Sequence, residues 1–300
     1  MNREIALIGV PMDLGQTRRG VDMGPSAIRY AGIVERIERL QYKVDDLGNM
    51  EIPRPQRHTS NGKDALRNLD EIVTVNTDLA RVVHEQVDKN RFPLVLGGDH
   101  SIAIGTLAGL SGHYENLGVI WYDAHGDINT PETSPSGNIH GMPLAVSLGL
   151  GEKRLTSIMN ERAKIKPENI VLIGIRDLDE GEKRRLRELN IKVFTMHEID
   201  RLGMPQVMKE TIDYLNNRTD GVHLSFDLDG MDPSEAPGVG TPVIGGVTYR
   251  ESHLAMEMLA EANIVTSAEF VEVNPMLDEK NKTADVTVAL VGSLFGEKLI

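Results

Sequence analysis

The run 117–122 (LGVIWY) leads directly into Asp123-Ala124-His125-Gly126-Asp127. In an extended chain alternate side chains share a face, so Asp123, His125 and Asp127 are expected to point into one space. The stretch HLSFDLDG repeats the device with Asp227 and Asp229 in the same i, i+2 relation. A third piece, LVLGGDHS, brings His100 past a Gly97-Gly98 turn whose missing Cβ atoms let the backbone pass close to whatever lies there. Four carboxylates and two imidazoles therefore gather at the ends of separate apolar runs.

Burying such carboxylates together is costly unless cations neutralise them or protons do. Two divalent ions balance the charge, and six ligand residues exceed what one catalytic ion with an open position takes, whereas two ions sharing a pair of carboxylates accommodate all six. Oxygen-rich ligation with few imidazoles and no sulfur favours manganese, with cobalt as a substitute. Taken singly, each aspartate reads as an ordinary turn or cap residue. Three such motifs, all at expected strand ends, favour the metal centre.

The elements that must position these residues are legible as alternation. Short β-branched runs at 4–10, 42–46, 92–96, 117–122, 169–175, 191–195, 222–228 and 264–272 alternate with helical patterns such as 25–40, 64–88 and 282–299. This is the signature of βα units and a mostly parallel sheet. An eightfold barrel and an open three-layer sheet both satisfy it, and both place function at the carboxyl ends of strands. The longest segments without a regular pattern, 126–140 and 229–247, each follow an acidic strand end, where long loops are commonly functional.

The 300 residues show no fixed-period repeat, low-complexity tract or Pro/Gly-rich linker, so one domain over 1–300 is expected. The absence of cysteine excludes a disulfide framework, a thiolate nucleophile and every Cys-based metal site. A net charge of −13 disfavours nucleic acid or an anionic membrane as main partner and permits a cationic substrate. The apolar stretch 5–10 is too short for a signal core, and no run approaches the ~20 residues of a membrane span. A cytoplasmic protein without membrane association is the expectation.

Weaker motifs read plainly. GVGTPVIGG at 238–246 looks like a phosphate cradle but lacks the Lys-Ser/Thr pair, so it is read as a rigid pocket wall. The cluster Lys183-Arg184-Arg185-Leu186-Arg187 reads as a solvated helix face, and the Met256 and Met258 region as core. His140 closes the loop that begins at Asp127, whereas His58, His84, His113, His197, His223 and His253 default to structural roles. Glu269 reads as an unremarked neighbour of Glu272, which ends the last strand.

GGDHS at 97–101, DAHGD at 123–127 and SFDLDGMDPSEAPG at 225–238 resemble the signature stretches of the ureohydrolase family, and within it most closely the arginases. The likeness runs from IGVPMDLGQTRRGVDMGP near the start to EVNP at 272–275, with Gly126 standing where many relatives carry Ala. The resemblance implies an open three-layer α-β-α fold with a parallel eight-stranded sheet, which resolves the alternative left by periodicity. It implies two manganese ions, one on His100, Asp123, Asp127 and Asp227 and the other on His125, Asp123, Asp227 and Asp229.

The implied reaction is hydrolysis of L-arginine to L-ornithine and urea by a hydroxide formed between the metals, with Asp127 relaying a proton and His140 as acid or shuttle. Glu272 would pair with the guanidinium through parallel hydrogen bonds. Asn129, Ser136 and Asn138 match residues that hold the α-carboxylate and Asp179 one near the α-amino group, with Glu182 and Thr241 as further pocket candidates. Loss of the carboxylate contacts would point to agmatine. Other guanidino or formimino substrates and a non-catalytic metal-binding homologue are the remaining alternatives, and intact His140 and Glu272 argue against the last. The family forms homo-oligomers, trimers or hexamers; the ending at Ile300, without the long tail of animal relatives, points to a bacterial-type hexamer.

Overall fold

A computed structural model describes residues 4–54 and 66–300 of the chain. His58 and the first residues of the expected helix 64–88 lie outside that range. The strands are β1 (Ile5–Val10), β2 (Val44–Asn49), β3 (Phe92–Gly97), β4 (Leu117–Tyr122), β5 (Ile170–Ile175), β6 (Lys192–Thr195), β7 (Gly221–Asp227) and β8 (Val265–Val271). All pairings are parallel, in one open sheet ordered β2-β1-β3-β8-β7-β4-β5-β6.

Five of the interior strands are buried along their length and β8 is buried from Ser267 on, as parallel strands covered on both faces must be. The edges differ: β2 (VDDLGN) carries charged, exposed positions and β6 (KVFT) is short and half-buried with Lys192 at its start, features that discourage further strand pairing. Alternate side chains of one strand enter opposite cores. Ile120 and Tyr122 pack with Leu224 and Phe226 on one face, while Val119 and Trp121 pack with Leu172 and Val95 on the other. This is the three-layer sandwich that the resemblance implies, not a closed barrel.

The helices are α1 (Gly24–Tyr30), α2 (Ile33–Arg39), α3 (Leu69–Asp88), α4 (Ala103–Leu110), α5 (Pro143–Ser147), α6 (Lys153–Thr156), α7 (Glu180–Glu188), α8 (Met196–Leu202), α9 (Met204–Asn216), α10 (Tyr249–Ala262) and α11 (Lys282–Leu294). The expected single helix over 25–40 is two, because Gly32 takes a left-handed φ of 87° and resets the helix axis. The last helix stops at Leu294, ahead of Gly296 in the same region of φ. α1, α2 and α9 to α11 supply residues to the Phe226 core, whereas α3, α4 and α7 serve the Trp121 core; Met256 is fully buried in the former.

The four strands whose carboxyl ends carry the candidate ligands or Glu272 are β3, β8, β7 and β4, consecutive neighbours at the centre of the sheet. The chain leaves β3, crosses over two intervening strands and returns at β4. That reversal opens a crevice beyond the carboxyl ends of the strands, the usual binding position in open α/β sheets.

Candidate metal centre and substrate pocket

Three carboxylates converge on one imidazole nitrogen. His100 Nδ1 lies 3.1 Å from Asp123 Oδ2, 3.0 Å from Asp127 Oδ2 and 3.2 Å from Asp227 Oδ2. Beside it, His125 Nδ1 is 3.4 Å from Asp123 Oδ1 and 3.2 Å from Asp229 Oδ2. Two ligand-type clusters result, His100/Asp123/Asp227 and Asp123/His125/Asp229, with Asp123 common to both. Asp227 belongs geometrically to the first; its Oδ1 accepts from the Asp229 amide at 2.7 Å.

The local reason for convergence differs from strand alternation. β4 ends at Tyr122, and the chain bends as Asp123 Oδ1 accepts from the His125 amide at 2.7 Å. Asp127 then turns back with a left-handed φ of 49°. After β7 the same kind of turn, Asp229 N to Asp227 Oδ1, opens a short 3-10 turn. Both motifs are carboxylate-capped turns, a conformation aspartate favours because its side chain can bond the backbone two residues on.

His100 begins a 3-10 turn capped by Asp99, whose Oδ1 accepts from the Ser101 amide. A Cβ on Gly98 would strike the backbone of Met12, so only glycine fits this approach. Ring orientation is set from behind: Ser225 Oγ donates to Glu269 Oε1 at 2.8 Å, so it accepts from His100 Nε2, also at 2.8 Å. Trp121 stacks on the ring at 4.2 Å and donates its Nε1 proton to Asp123 Oδ2 at 3.0 Å. This leaves Nδ1 buried, without a hydrogen-bond partner, and aimed at the carboxylates.

Electrostatics give the donor set its meaning. Burial pushes Asp227 well above the usual carboxylate range, reinforced by Asp229 and Asp123, and burial raises Asp229 as well. Burial, with Asp123 adding to it, lifts Asp127 to about 6. His100 is fully buried, which opposes its charge, yet Asp123, Asp127 and Asp227 pull it well above the ordinary imidazole range. Asp123 goes the other way: burial disfavours its charge, but the two histidines outweigh burial and hold it low. A cluster that retains protons to survive burial is one that a divalent cation stabilises. The unpaired Nδ1 and the oxygen-rich donors fit such ions.

A cavity of about 210 Å³ opens over the clusters. Every substrate-pocket candidate lines it, Asn129, Ser136, Asn138, Asp179, Glu182 and Thr241, together with His125, Asp127 and His140. Their local roles separate. Thr241 Oγ1 donates to Asp229 Oδ2 at 2.8 Å and so orients a candidate ligand. Glu182 and Asp179 form a capping box at the start of α7, and Glu182 Oε1 also accepts from Ile128 N at 3.3 Å. Burial and Asp127 raise Glu182 to about 8. Asn129 Nδ2 donates to Asp179 Oδ2 at 2.8 Å, and Asn138 Oδ1 is buried without a partner.

Glu272 sits just beyond β8 with a left-handed φ of 66°, an uncommon conformation for glutamate that turns its carboxylate inward. Its Oε1 accepts from the His100 amide at 2.9 Å and lies 3.3 Å from His140 Nδ1, while Oε2 accepts from Gln16 at 2.9 Å. Burial works against a charge on His140, but Glu272 outweighs it and raises the ring to about 9. Glu272 is thus placed behind His140, buried to 1 % exposure, and does not line the cavity wall.

Several contributors escape the motif reading. Glu269 is not an incidental neighbour: it is mid-strand, fully buried, accepts from Ser225 and lies 3.3 Å from His223 Nε2. Ser225 and Trp121 each stand two residues before a candidate ligand, so strand period alone could have flagged them. Arg176 donates to the carbonyls of Asp229, Gly230, Met231 and Val243 at 2.7 to 3.0 Å, pinning the loop 229–247 as a rigid wall. Asp177 lines the cavity 3.9 Å from His125 Nε2. Nothing in the spacing singles out Arg176 or Asp177.

Known proteins resemble this chain throughout. The description "Arginase family" matches residues 3–296. An arginase from Bacillus caldovelox is 70% identical over 99% of this chain and 100% of its own, and its native structure superposes with a TM-score of 0.97. An arginase from Bacillus subtilis is 62% identical over the full length of both chains. The Entamoeba histolytica arginase, solved in complex with L-ornithine, is 37% identical with a TM-score of 0.90, covering 99% of this chain and 100% of that one.

Proposed function

The chain belongs to the arginase family, hydrolases of linear amidines, and from that premise we propose that it cleaves L-arginine with water to L-ornithine and urea. The observation that carries the substrate is the cavity itself: His125, Asp127, Asp227 and Asp229 line it beside the acidic pair Asp177 and Asp179, with Ser136 and Asn138 among its other lining residues. A cationic guanidinium suits the acidic lining. The α-amino group suits Asp179, and the α-carboxylate suits Ser136 and the amide side chains of Asn129 and Asn138. The Entamoeba relative was solved with L-ornithine, the product this reaction would leave.

We assign the cofactor as two manganese ions, held by His100, Asp123, Asp127 and Asp227 on one side and by His125, Asp123, Asp227 and Asp229 on the other. When bound, they supply positive charge that lowers the pKa of water from about 15.7 toward neutrality. The chain's own residues do the rest. Asp127, at the cavity floor beside His100, accepts a proton from the attacking water. His140, kept protonated by Glu272, delivers one to the leaving amine, because collapse toward urea and ornithine requires that nitrogen to depart neutral. Glu272 acts through His140: its carboxylate lies behind that ring and outside the cavity lining, so the direct pairing with the guanidinium expected from the sequence is not part of this reading. A single unit over 1–300, assembled as a homo-oligomer in the cytoplasm, completes the proposal; among the described residues no helix is long and apolar enough to cross a membrane.

The test is urea release from purified protein reconstituted with manganese, with arginine and agmatine in parallel and a chelated control. Metal-dependent urea from arginine and little from agmatine is expected. Comparable rates on agmatine would overturn the carboxylate-reading role of the loop 129–138. Silence on both would return the formimino and non-catalytic readings.

A further inference from the structure

A second group of ligand-type side chains lies outside the pocket. His84 and Asp88 stand four residues apart on α3, and His113 follows α4. His84 Nε2 is 3.8 Å from Asp88 Oδ2, and His113 Nδ1 is 3.8 Å from Asp88 Oδ1. One ligand atom from each residue lies within 4.8 Å of the others. The imidazole rings pack with centroids 4.2 Å apart.

The remaining ring nitrogens decide what these atoms are. His84 Nδ1 sits 3.3 Å from Gly109 O, and His113 Nε2 sits 3.1 Å from His84 O. A carbonyl only accepts, so each of those nitrogens carries a proton, which leaves the other nitrogen as the one able to present a lone pair to an ion. Those other nitrogens are His84 Nε2 and His113 Nδ1, the two atoms that face Asp88. Metal-binding histidines are oriented this way, the far N–H held by a carbonyl and the near nitrogen presented to the ion. The gaps of 3.8 Å to Asp88 are too long for hydrogen bonds. They are spanned by two ligand bonds of about 2.0–2.1 Å meeting at an obtuse angle. The rings are held, with His113 18% exposed, whereas Asp88 is 61% exposed and free to close on an ion. Gly112 takes part: a Cβ there would come 2.8 Å from His84 Cε1 and displace the ring.

We propose that His84, Asp88 and His113 form a surface site for one divalent transition ion of the zinc class, with solvent completing its coordination. Two imidazoles and one carboxylate suit zinc, copper or nickel and are poorly matched to manganese, so the site differs in metal preference from the pocket cluster. It shares no residue with that cluster. An ion there joins the last turn of α3 to the turn after α4, adding a cross-link between two helices that already pack closely.

The experiment uses manganese-loaded protein, wild type beside His113→Gln and Asp88→Asn, dialysed against graded zinc chloride and analysed for both metals. Wild type is expected to take up one zinc per chain with its manganese retained. Each variant should bind that zinc at least about tenfold more weakly, as losses at metal sites do. Zinc should raise the melting temperature of wild type and not of the variants, and urea production before zinc addition should be the same in all. Equal zinc uptake by wild type and variants, or uptake matched by loss of manganese, would overturn the site. Asp88 is exposed, so Asp88→Asn decides the question even where His113→Gln folds poorly.

Discussion

Asp229 and His140 face the same cavity but should fail differently when replaced. Asp229 Oδ2 lies 3.2 Å from His125 Nδ1 and is oriented by Thr241, so Asp229→Ala removes a member of a candidate ligand cluster. Metal content and activity are expected to fall together, read by elemental analysis beside urea assays. His140 is outside both ligand clusters, so His140→Asn should keep the metals and lower kcat by about a hundred- to ten-thousandfold, the range for a lost general acid. The Glu272 carboxylate raises His140 from 6.5 to about 9 against burial, which has a signed consequence. The folded value exceeds the unfolded one, so the stabilisation from this pair is fully present below pH 6.5 and is lost as pH rises through about 9. Glu272→Gln should therefore move the His140 ring titration downward, followed by NMR, and move the alkaline fall in kcat to lower pH with it. An unmoved titration would sink the pairing.

Elements were more legible than the turns between them. All eight expected strands exist, with ends displaced by up to a few residues, and in the interior ones burial on both faces writes continuous apolar runs into the sequence. The helix pattern 25–40 misled at Gly32, since periodicity continues across a left-handed glycine that breaks the backbone. Two tests belong at this scale. Glu269→Gln keeps the shape of β8 but weakens the Ser225 and His100 alignment; manganese affinity should fall roughly ten- to a hundredfold, the cost typical of lost outer contacts, with little change in melting temperature. Gly98→Ala places a methyl against the Met12 backbone, which cannot rotate away, and should cost about 1–3 kcal/mol or more in denaturant unfolding.

For the whole molecule, the carboxylate cluster couples metal to stability. Chelation should lower the melting temperature, since an ion bound only by the folded state stabilises it by about 4 kcal/mol at a thousand times its dissociation constant. Asp127 rises from 3.8 to about 6 in the folded chain, and Asp227 and Asp229 rise too. Groups held above their unfolded values favour the folded state at low pH and cease to do so as pH rises through the folded values. The chelated protein should thus lose stability between pH 4 and 7 relative to the loaded one, measured by calorimetry. A constant difference across that range would contradict this account.

What the sequence determined by itself was the inventory: six ligand-type residues in three short motifs, the alternating elements that carry them, and the family likeness that names their chemistry. These are local, because a turn aspartate, a glycine pair and an apolar run each express a preference within a few residues. Tertiary structure decided what depends on separation. The order that makes β3, β8, β7 and β4 neighbours, the Ser225–Glu269 brace behind His100, Glu272 standing behind His140, and Arg176 holding the far loop all join residues distant in the chain. So does the meeting of His113 with His84 and Asp88. No periodicity records such contacts, because they follow from packing two layers of helices onto one twisted sheet, where buried polar groups must find partners wherever the fold supplies them.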